Sequence, residues 1–172
     1  MSQPVLAEAI DRLLAGEDLG REGAAVALDV VMSGQADPAQ TAGFLIALRS
    51  KGESAAELAG LASVIRDRAV RVTPPDGPFV DTCGTGGGIS TFNVSTAAAF
   101  VAAGAGVAVA KHGARSNTSL SGSADVLEAL GADIMLKPDA VAACIEETGV
   151  GFMFAPNHRS AMKHAAPVRR EL

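Results

Sequence analysis

The chain has 172 residues, 48% hydrophobic and 19% charged, with 14 Lys and Arg against 19 Asp and Glu for a formal charge of −5. This balance excludes a wholly disordered chain and argues against a general nucleic-acid binder or an anionic-membrane surface protein. Its length suits one domain or two small ones. Aromatic residues make up only 3%, with neither Trp nor Tyr, which leaves few platforms for stacking bases. Cys83 and Cys144 lie far apart without Cys-x-x-Cys or Cys/His ligand spacing. They are expected to be reduced, partly buried thiols of a cytoplasmic protein. The opening Met1-Ser2-Gln3-Pro4 lacks the basic and apolar blocks of a signal peptide. The longest apolar run, residues 97–110, is shorter than the ~18 residues of a membrane helix and predicts a tightly packed interior segment.

Residues 5–72 carry helical grammar. Leu6, Ile10, Leu13 and Leu14 recur at helical spacing, and Val26, Val30 and Val31 repeat it, predicting two helices. Asp37-Pro38 offers an N-cap followed by Pro in the first turn, with Phe44, Leu45 and Leu48 as the apolar stripe and Gly52 as the stop. Ser54 and Glu57 form a capping-box pair that opens a fourth helix reaching about Val70. Thr73-Pro74-Pro75-Asp76-Gly77-Pro78 excludes both helix interior and central strand, so residues 73–78 are expected to be a hinge between domains 1–72 and 79–172.

Beyond the hinge, residues 79–83 read as a buried strand, residues 107–110 as a second and residues 152–154 as a third, separated by Ala- and Leu-rich helical stretches. This alternation predicts an α/β domain with a mainly parallel sheet. The first strand leads into Gly84-Thr85-Gly86-Gly87-Gly88, then Thr91-Phe92-Asn93-Val94-Ser95-Thr96 and an Ala-rich helix. Glycines bring backbone amides close to phosphate oxygens, and the helix that follows directs its dipole at negative charge. The P-loop Lys is missing, as is an acid about 20 positions on to hold a ribose. Alone, the loop is weak evidence, since a tight structural turn uses the same glycines.

The second strand leads into Lys111-His112-Gly113-Ala114-Arg115-Ser116-Asn117-Thr118-Ser119-Leu120-Ser121-Gly122-Ser123. One ammonium, one guanidinium and five hydroxyls in these 13 residues make a phosphate-binding inventory. Loops at the carboxyl ends of parallel strands lie side by side, so the two segments are expected to be neighbours. No Asp or Glu occurs in residues 82–124, where 19 acids in 172 residues would place about five by chance. A positive local field is therefore expected in an acidic molecule. His112 reads as a hydrogen-bonding residue, and no nucleophilic triad or clustered metal motif is present, so chemistry would rest on positioning and charge stabilisation.

At these segments the chain resembles the anthranilate phosphoribosyltransferases of tryptophan biosynthesis. The likeness rests on Gly84-Thr85-Gly86-Gly87, Thr91-Phe92-Asn93-Val94-Ser95-Thr96, Lys111-His112-Gly113-x-Arg115 and the run from Gly122-Ser123-Ala124-Asp125 to Leu130-Gly131. Phe154-Ala155-Pro156 and His164-Ala165-Ala166-Pro167-Val168-Arg169-Arg170 extend it. The resemblance implies a small helical domain used for homodimerisation, joined to a larger α/β domain of the nucleoside phosphorylase/phosphoribosyltransferase type. It also implies attack of the anthranilate amine on phosphoribosyl pyrophosphate, expelling pyrophosphate with Mg2+ assistance.

Carried over by position, the donor would meet Gly84, Gly87, Gly88, Thr91, Asn93, Ser95 and Thr96 from the first segment. Lys111, His112, Gly113, Arg115, Thr118, Ser119 and Ser123 would meet it from the second. Ser95 would reach the metal, and Gly84, Ala114 and Arg169 would meet the acceptor, Arg169 at its carboxylate. The sequence departs from the family pattern at Gly88, which stands in a shortened loop where an acid is usual, and at Ala114, where Asn is usual. The family's adjacent Asp-Glu metal pair has no counterpart, and family members are longer, so a fragment or split-gene product is expected. A catalytically silent phosphate-binding or dimerisation module is the alternative. A pyrimidine nucleoside phosphorylase ranks lower, because its Lys-His segment continues Ser-Thr-Gly-Gly rather than Gly-Ala-Arg.

Overall fold

The computed structural model describes residues 4–74, 76–84, 92–116 and 120–172. Helix α1 (Pro4–Leu14) buries Leu6, Ala9 and Leu13, and α2 (Gly20–Met32) answers with Ala24, Ala27, Leu28, Val31 and Met32. Helix α3 (Pro38–Lys51) starts as its sequence dictates, with the Asp37 side chain accepting from the Ala39 amide, and Gly52 ends it at φ 89°. Helix α4 (Ala55–Asp67) opens on the Ser54/Glu57 capping box and stops three residues before Val70. Gly60 lets α4 approach α2, since a Cβ there would overlap the Arg21 carbonyl.

The carboxylate of Glu57 is buried and also accepts from the Leu19 amide at 3.0 Å and from Lys51 Nζ at 2.9 Å, which ties the loop before α2 to the start of α4. Burial alone would raise its pKa, but the Leu19 and Ser54 amides and the Lys51 ammonium hold it at about 2.

By backbone proximity the chain forms two units, Met1–Ala69 with Arg159–Leu172, and Val70–His158. The C-terminal stretch, expected from the sequence to lie with the α/β part, thus returns to the helices. Ala165 is 4% exposed in the same core as Leu6 and Phe44, with Ala161 and Met162 packed against it. A 3-10 turn (Ser160–His164) and α9 (Ala166–Glu171) form this stretch. The His164 ring fills the space that a Cβ on Gly34 would take.

The second unit holds a three-stranded sheet of β1 (Phe79–Val80), β2 (Ala108–Gly113) and β3 (Val150–Phe154), in the order β1-β2-β3 and parallel throughout. Helix α5 (Val94–Gly104) joins β1 to β2, while α6 (Ser123–Ala129) and α7 (Pro138–Thr148) lie between β2 and β3. Four-residue α8 (Ala155–His158) follows β3. The unit is closed at both chain ends by Val70 N donating to His158 O at 2.8 Å, with His158 Nδ1 3.2 Å from Val70 O.

Several sequence expectations change here. Residues 79–83 shorten to a two-residue edge strand paired only with β2, and its Phe79 and Val80 are 50% and 41% exposed rather than buried. The apolar run 97–110 is interior only in part: Ala99 and, in β2, Val109 and Ala110 are buried, while Phe100 and Val101 of α5 are exposed. Periodicity does not distinguish a wholly buried helix from an apolar one with a single covered stripe. Strand β2 runs three residues beyond Ala110, so Lys111, His112 and Gly113 belong to it rather than to a loop. Cys83 is exposed and Cys144 half-buried; both are free thiols. Among the described residues no helix is long and apolar enough to cross a membrane.

Candidate phosphate site at the strand ends

Lys111 is the unusual residue of the α/β unit. Strand β2 is buried on both faces, with Val109, Lys111 and Gly113 on one and Ala110 on the other, and Lys111 is only 1% exposed. A buried ammonium is costly unless paired. Here its hydrogen bonds go to two neutral hydroxyls, Thr82 Oγ1 at 3.3 Å and Ser95 Oγ at 3.2 Å, and no carboxylate forms an ion pair with it among the described residues. Burial lowers its pKa, opposed by the nearby Asp81 carboxylate and the Cys83 side chain. The positive charge is held in place but not neutralised by direct contact.

Around it the two segments meet as expected. Thr82 Oγ1 donates to Ser95 O at 2.7 Å, tying the end of the β1 segment to α5. Asn93 stands at the N-cap of α5 but makes no capping bond with its side chain; its Nδ2 donates to Ser121 O at 3.1 Å and joins the two loops. The dipole of an 11-residue helix therefore starts beside Ser95 and Lys111. Thr96 Oγ1 is buried without a partner among the described residues, one turn into the same helix. A buried hydroxyl without a partner is rare enough to need a reason.

The other expected residues sort differently. Gly84 is exposed, with nothing within 4 Å of where a Cβ would stand. Gly113 is closed in by Phe152 and Ser123. Ser123 opens α6, and Ala114 O accepts from the Ala124 amide at 3.2 Å. His112 is half-buried, its amide donating to Asp81 Oδ1 at 3.1 Å and its Nδ1 3.9 Å from Cys83 Sγ. Gly87, Gly88, Thr91, Thr118 and Ser119 lie outside the described residues. Arg169 is exposed on α9, in the helical unit, whereas the other site residues belong to the α/β unit.

Arg115 departs most from expectation. Its guanidinium grips Glu128 through two bonds of 2.7 and 3.0 Å, reaches Asp125 Oδ1 at 3.2 Å, and lies 6.0 Å from the centre of the Phe154 ring. Those carboxylates push its pKa further up, while the Gly122 and Ser116 amides and Arg115 lower that of Asp125. The acid-free stretch thus ends on an acid that neutralises its only arginine, and the positive field contracts onto Lys111.

Sequence reasoning passed over Thr82, Asp81 and Asp125. The signal lay at the borders of the acid-free stretch: Asp81 immediately precedes it and Asp125 immediately follows. Magnesium fits the described residues poorly. No group of three His, Cys, Asp or Glu side chains could hold a metal among them, and the one hydroxyl proposed as a ligand, on Ser95, accepts from an ammonium.

Two family models match the chain: "Glycosyl transferase family, helical bundle domain" over residues 7–69 and "Glycosyl transferase family, a/b domain" over residues 76–172. The chain is 58% identical over 158 residues to an anthranilate phosphoribosyltransferase of Symbiobacterium thermophilum, covering 91% of this chain and 46% of that one. The crystal structure of anthranilate phosphoribosyltransferase from Thermus thermophilus superposes with a TM-score of 0.83 at 43% identity, covering 95% of this chain and 50% of that one. That of the Saccharomyces cerevisiae enzyme in complex with PRPP and Mg superposes with a TM-score of 0.88 at 30% identity, covering 99% and 52%. The chain spans about half the length of the curated relatives it matches.

Proposed function

Because the chain belongs to the glycosyl transferase family defined by these helical-bundle and a/b domains, we propose that it carries the donor-binding part of a phosphoribosyltransferase. The reaction is transfer of the phosphoribosyl group of phosphoribosyl pyrophosphate to the amine of anthranilate, with release of pyrophosphate. One observation carries this reading: the buried ammonium of Lys111, hydrogen-bonded among the described residues only to the Thr82 and Ser95 hydroxyls at the carboxyl end of a parallel sheet. An anion placed there gains a charge-assisted bond and satisfies a cation already desolvated by the fold.

Pyrophosphate is the leaving group, and negative charge grows on it as the glycosidic bond breaks. A preorganised cation beside it stabilises the transition state more than the ground state. Lys111 takes this role, Ser95 and Thr96 offer hydroxyls, Asn93 holds the two loops together, and the start of α5 adds its dipole. Gly84, Gly87, Gly88, Thr91, His112, Gly113, Thr118, Ser119 and Ser123 complete the donor surface in this reading. Arg115 serves as the anchor of its loop on α6, since its charge is already matched by Glu128 and Asp125. Mg2+ would come with the donor rather than from a site built by the described residues, and would supply charge neutralisation to the leaving group.

On the acceptor side, Arg169 pairs with the anthranilate carboxylate, a task suited to a planar bidentate donor, and Ala114 and Gly84 leave room for the ring. The helical unit makes a homodimer, and the protein works in the cytoplasm. Loss of anthranilate fluorescence on adding phosphoribosyl pyrophosphate and Mg2+ tests the reading, with low background because the chain has neither Trp nor Tyr. Turnover, or failing that saturable donor binding by the folded chain, is the expected result. A folded chain that neither turns over nor binds the donor would overturn it.

A further inference from the structure

The two carboxylates that border the acid-free stretch each hold a pair of backbone amides at the phosphate loops. Asp81 Oδ1 accepts from the Cys83 amide at 3.0 Å and from the His112 amide at 3.1 Å. Asp125 Oδ2 accepts from the Ser116 amide at 3.0 Å and from the Gly122 amide at 2.7 Å. We propose that Asp81 and Asp125 are positioning residues that fix the bases of the two anion loops, at Cys83, His112, Ser116 and Gly122, without touching the donor. This rests on the reading of those loops as the donor's phosphate site.

The topology explains why carboxylates stand there. Pairing of β1 with β2 ends at Val80 and Val109, after which the first segment leaves the sheet toward its glycines. The carboxylate of Asp81 takes up the His112 amide beyond the end of the ladder and turns the chain at Cys83. It therefore fixes the departure point of the Gly-rich segment relative to Lys111. Asp125 does the corresponding work on the second loop, whose flanks at Ser116 and Gly122 it draws to one oxygen. The flanks touch there: a Cβ on Gly122 would come within 2.5 Å of Ala114 O and Ser116 N. Anion loops need fixed amides, yet an acid facing the anion would repel it. Placing the acids at the loop bases supplies strong acceptors while residues 82–124 stay free of negative charge.

The test is calorimetric titration of the full chain with inorganic pyrophosphate near neutral pH, paired with backbone amide exchange by NMR. Asp81→Ala should weaken pyrophosphate binding at least about fivefold and speed exchange at Cys83 and His112, while Asp81→Asn, which keeps an acceptor oxygen, stays within about twofold of wild type. Asp125→Ala should do the same with exchange at Ser116 and Gly122, and Asp125→Asn should rescue it. Unchanged affinity in both Ala variants would overturn the proposal, as would Asn variants as weak as the Ala ones. If an Ala variant does not fold, the Asn variant decides, since fast exchange at the clamped amides there would contradict the clamp. If the wild type binds no pyrophosphate, the donor-site reading fails, and the exchange comparison still decides whether these carboxylates hold the loops.

Discussion

Replacing Glu57 by Gln should cost the helical unit about 3 kcal/mol near neutral pH. The carboxylate is wholly buried and receives the Leu19 amide at 3.0 Å, the Ser54 amide at 2.8 Å and Lys51 Nζ at 2.9 Å. Desolvation works against the charged form, but these donors outweigh it and hold the pKa at about 2 against an ordinary 4.5. At 1.36 kcal/mol per pH unit, that difference corresponds to about 3 kcal/mol. The folded-state pKa is the lower one, so the stabilisation is fully present above 4.5 and is lost as the pH falls toward 2. Gln accepts only through its one carbonyl oxygen and turns an NH2 group toward a backbone donor, while Lys51 is left with Asp18 and the Gly52 carbonyl.

Urea unfolding followed by far-UV circular dichroism, at about pH 7 and about pH 3, reads both effects. Wild type should lose stability between the two, whereas Glu57→Gln should start lower and change less. A Glu57→Gln midpoint equal to wild type near pH 7 at unchanged slope would refute the reasoning. So would an equal acid response in both proteins.

Gly122→Ala should displace the second loop, because the added Cβ meets backbone on two sides, Ala114 O and Ser116 N, both at 2.5 Å. We expect a weaker pyrophosphate titration and a melting temperature that falls with it, and binding like wild type would argue against the close approach. Arg169→Ala should weaken anthranilate binding at least about tenfold by removing a charge-assisted pair, with donor affinity unchanged. Fluorescence titration measures this, and the reverse pattern would show that acceptor and donor roles had been exchanged. Asp37→Ala removes the cap on α3 and should lower stability by about 1 kcal/mol in the same urea assay, with the exposed mutation leaving the slope unchanged.

What was legible in the sequence was mostly local chemistry. Asp37-Pro38, Ser54 with Glu57 and Gly52 mark helix ends through caps that need no tertiary partner, and each does so in the structure, Gly52 through its positive φ. The neighbouring of the two anion loops followed from parallel topology and appears as the bond from Asn93 to Ser121. What failed depended on tertiary context. The apolarity of Phe79, Val80 and Phe100 says nothing of what covers them, and the end of β2 was misplaced because a lysine reads as a loop residue unless its burial is known. Arg115 reads as a phosphate ligand in the sequence because a cation stands among hydroxyls, and its ion pairs are what the sequence does not show. Its partners Asp125 and Glu128 come from the following helix, and only the turn at Gly122 brings them back. The return of residues 159–172 to the helices likewise depends on Ala165 packing in a core built largely from residues before position 65.

The account's central claim is that Lys111 presents a desolvated charge to a phosphate group, and calorimetric titration of wild type and Lys111→Ala with phosphoribosyl pyrophosphate tests it most directly. Loss of one charge-assisted contact of roughly 1.5 to 3 kcal/mol predicts affinity lower by about tenfold or more. Equal affinities in two folded proteins would contradict it, because a buried ammonium that matters to no anion would be only a structural residue of β2.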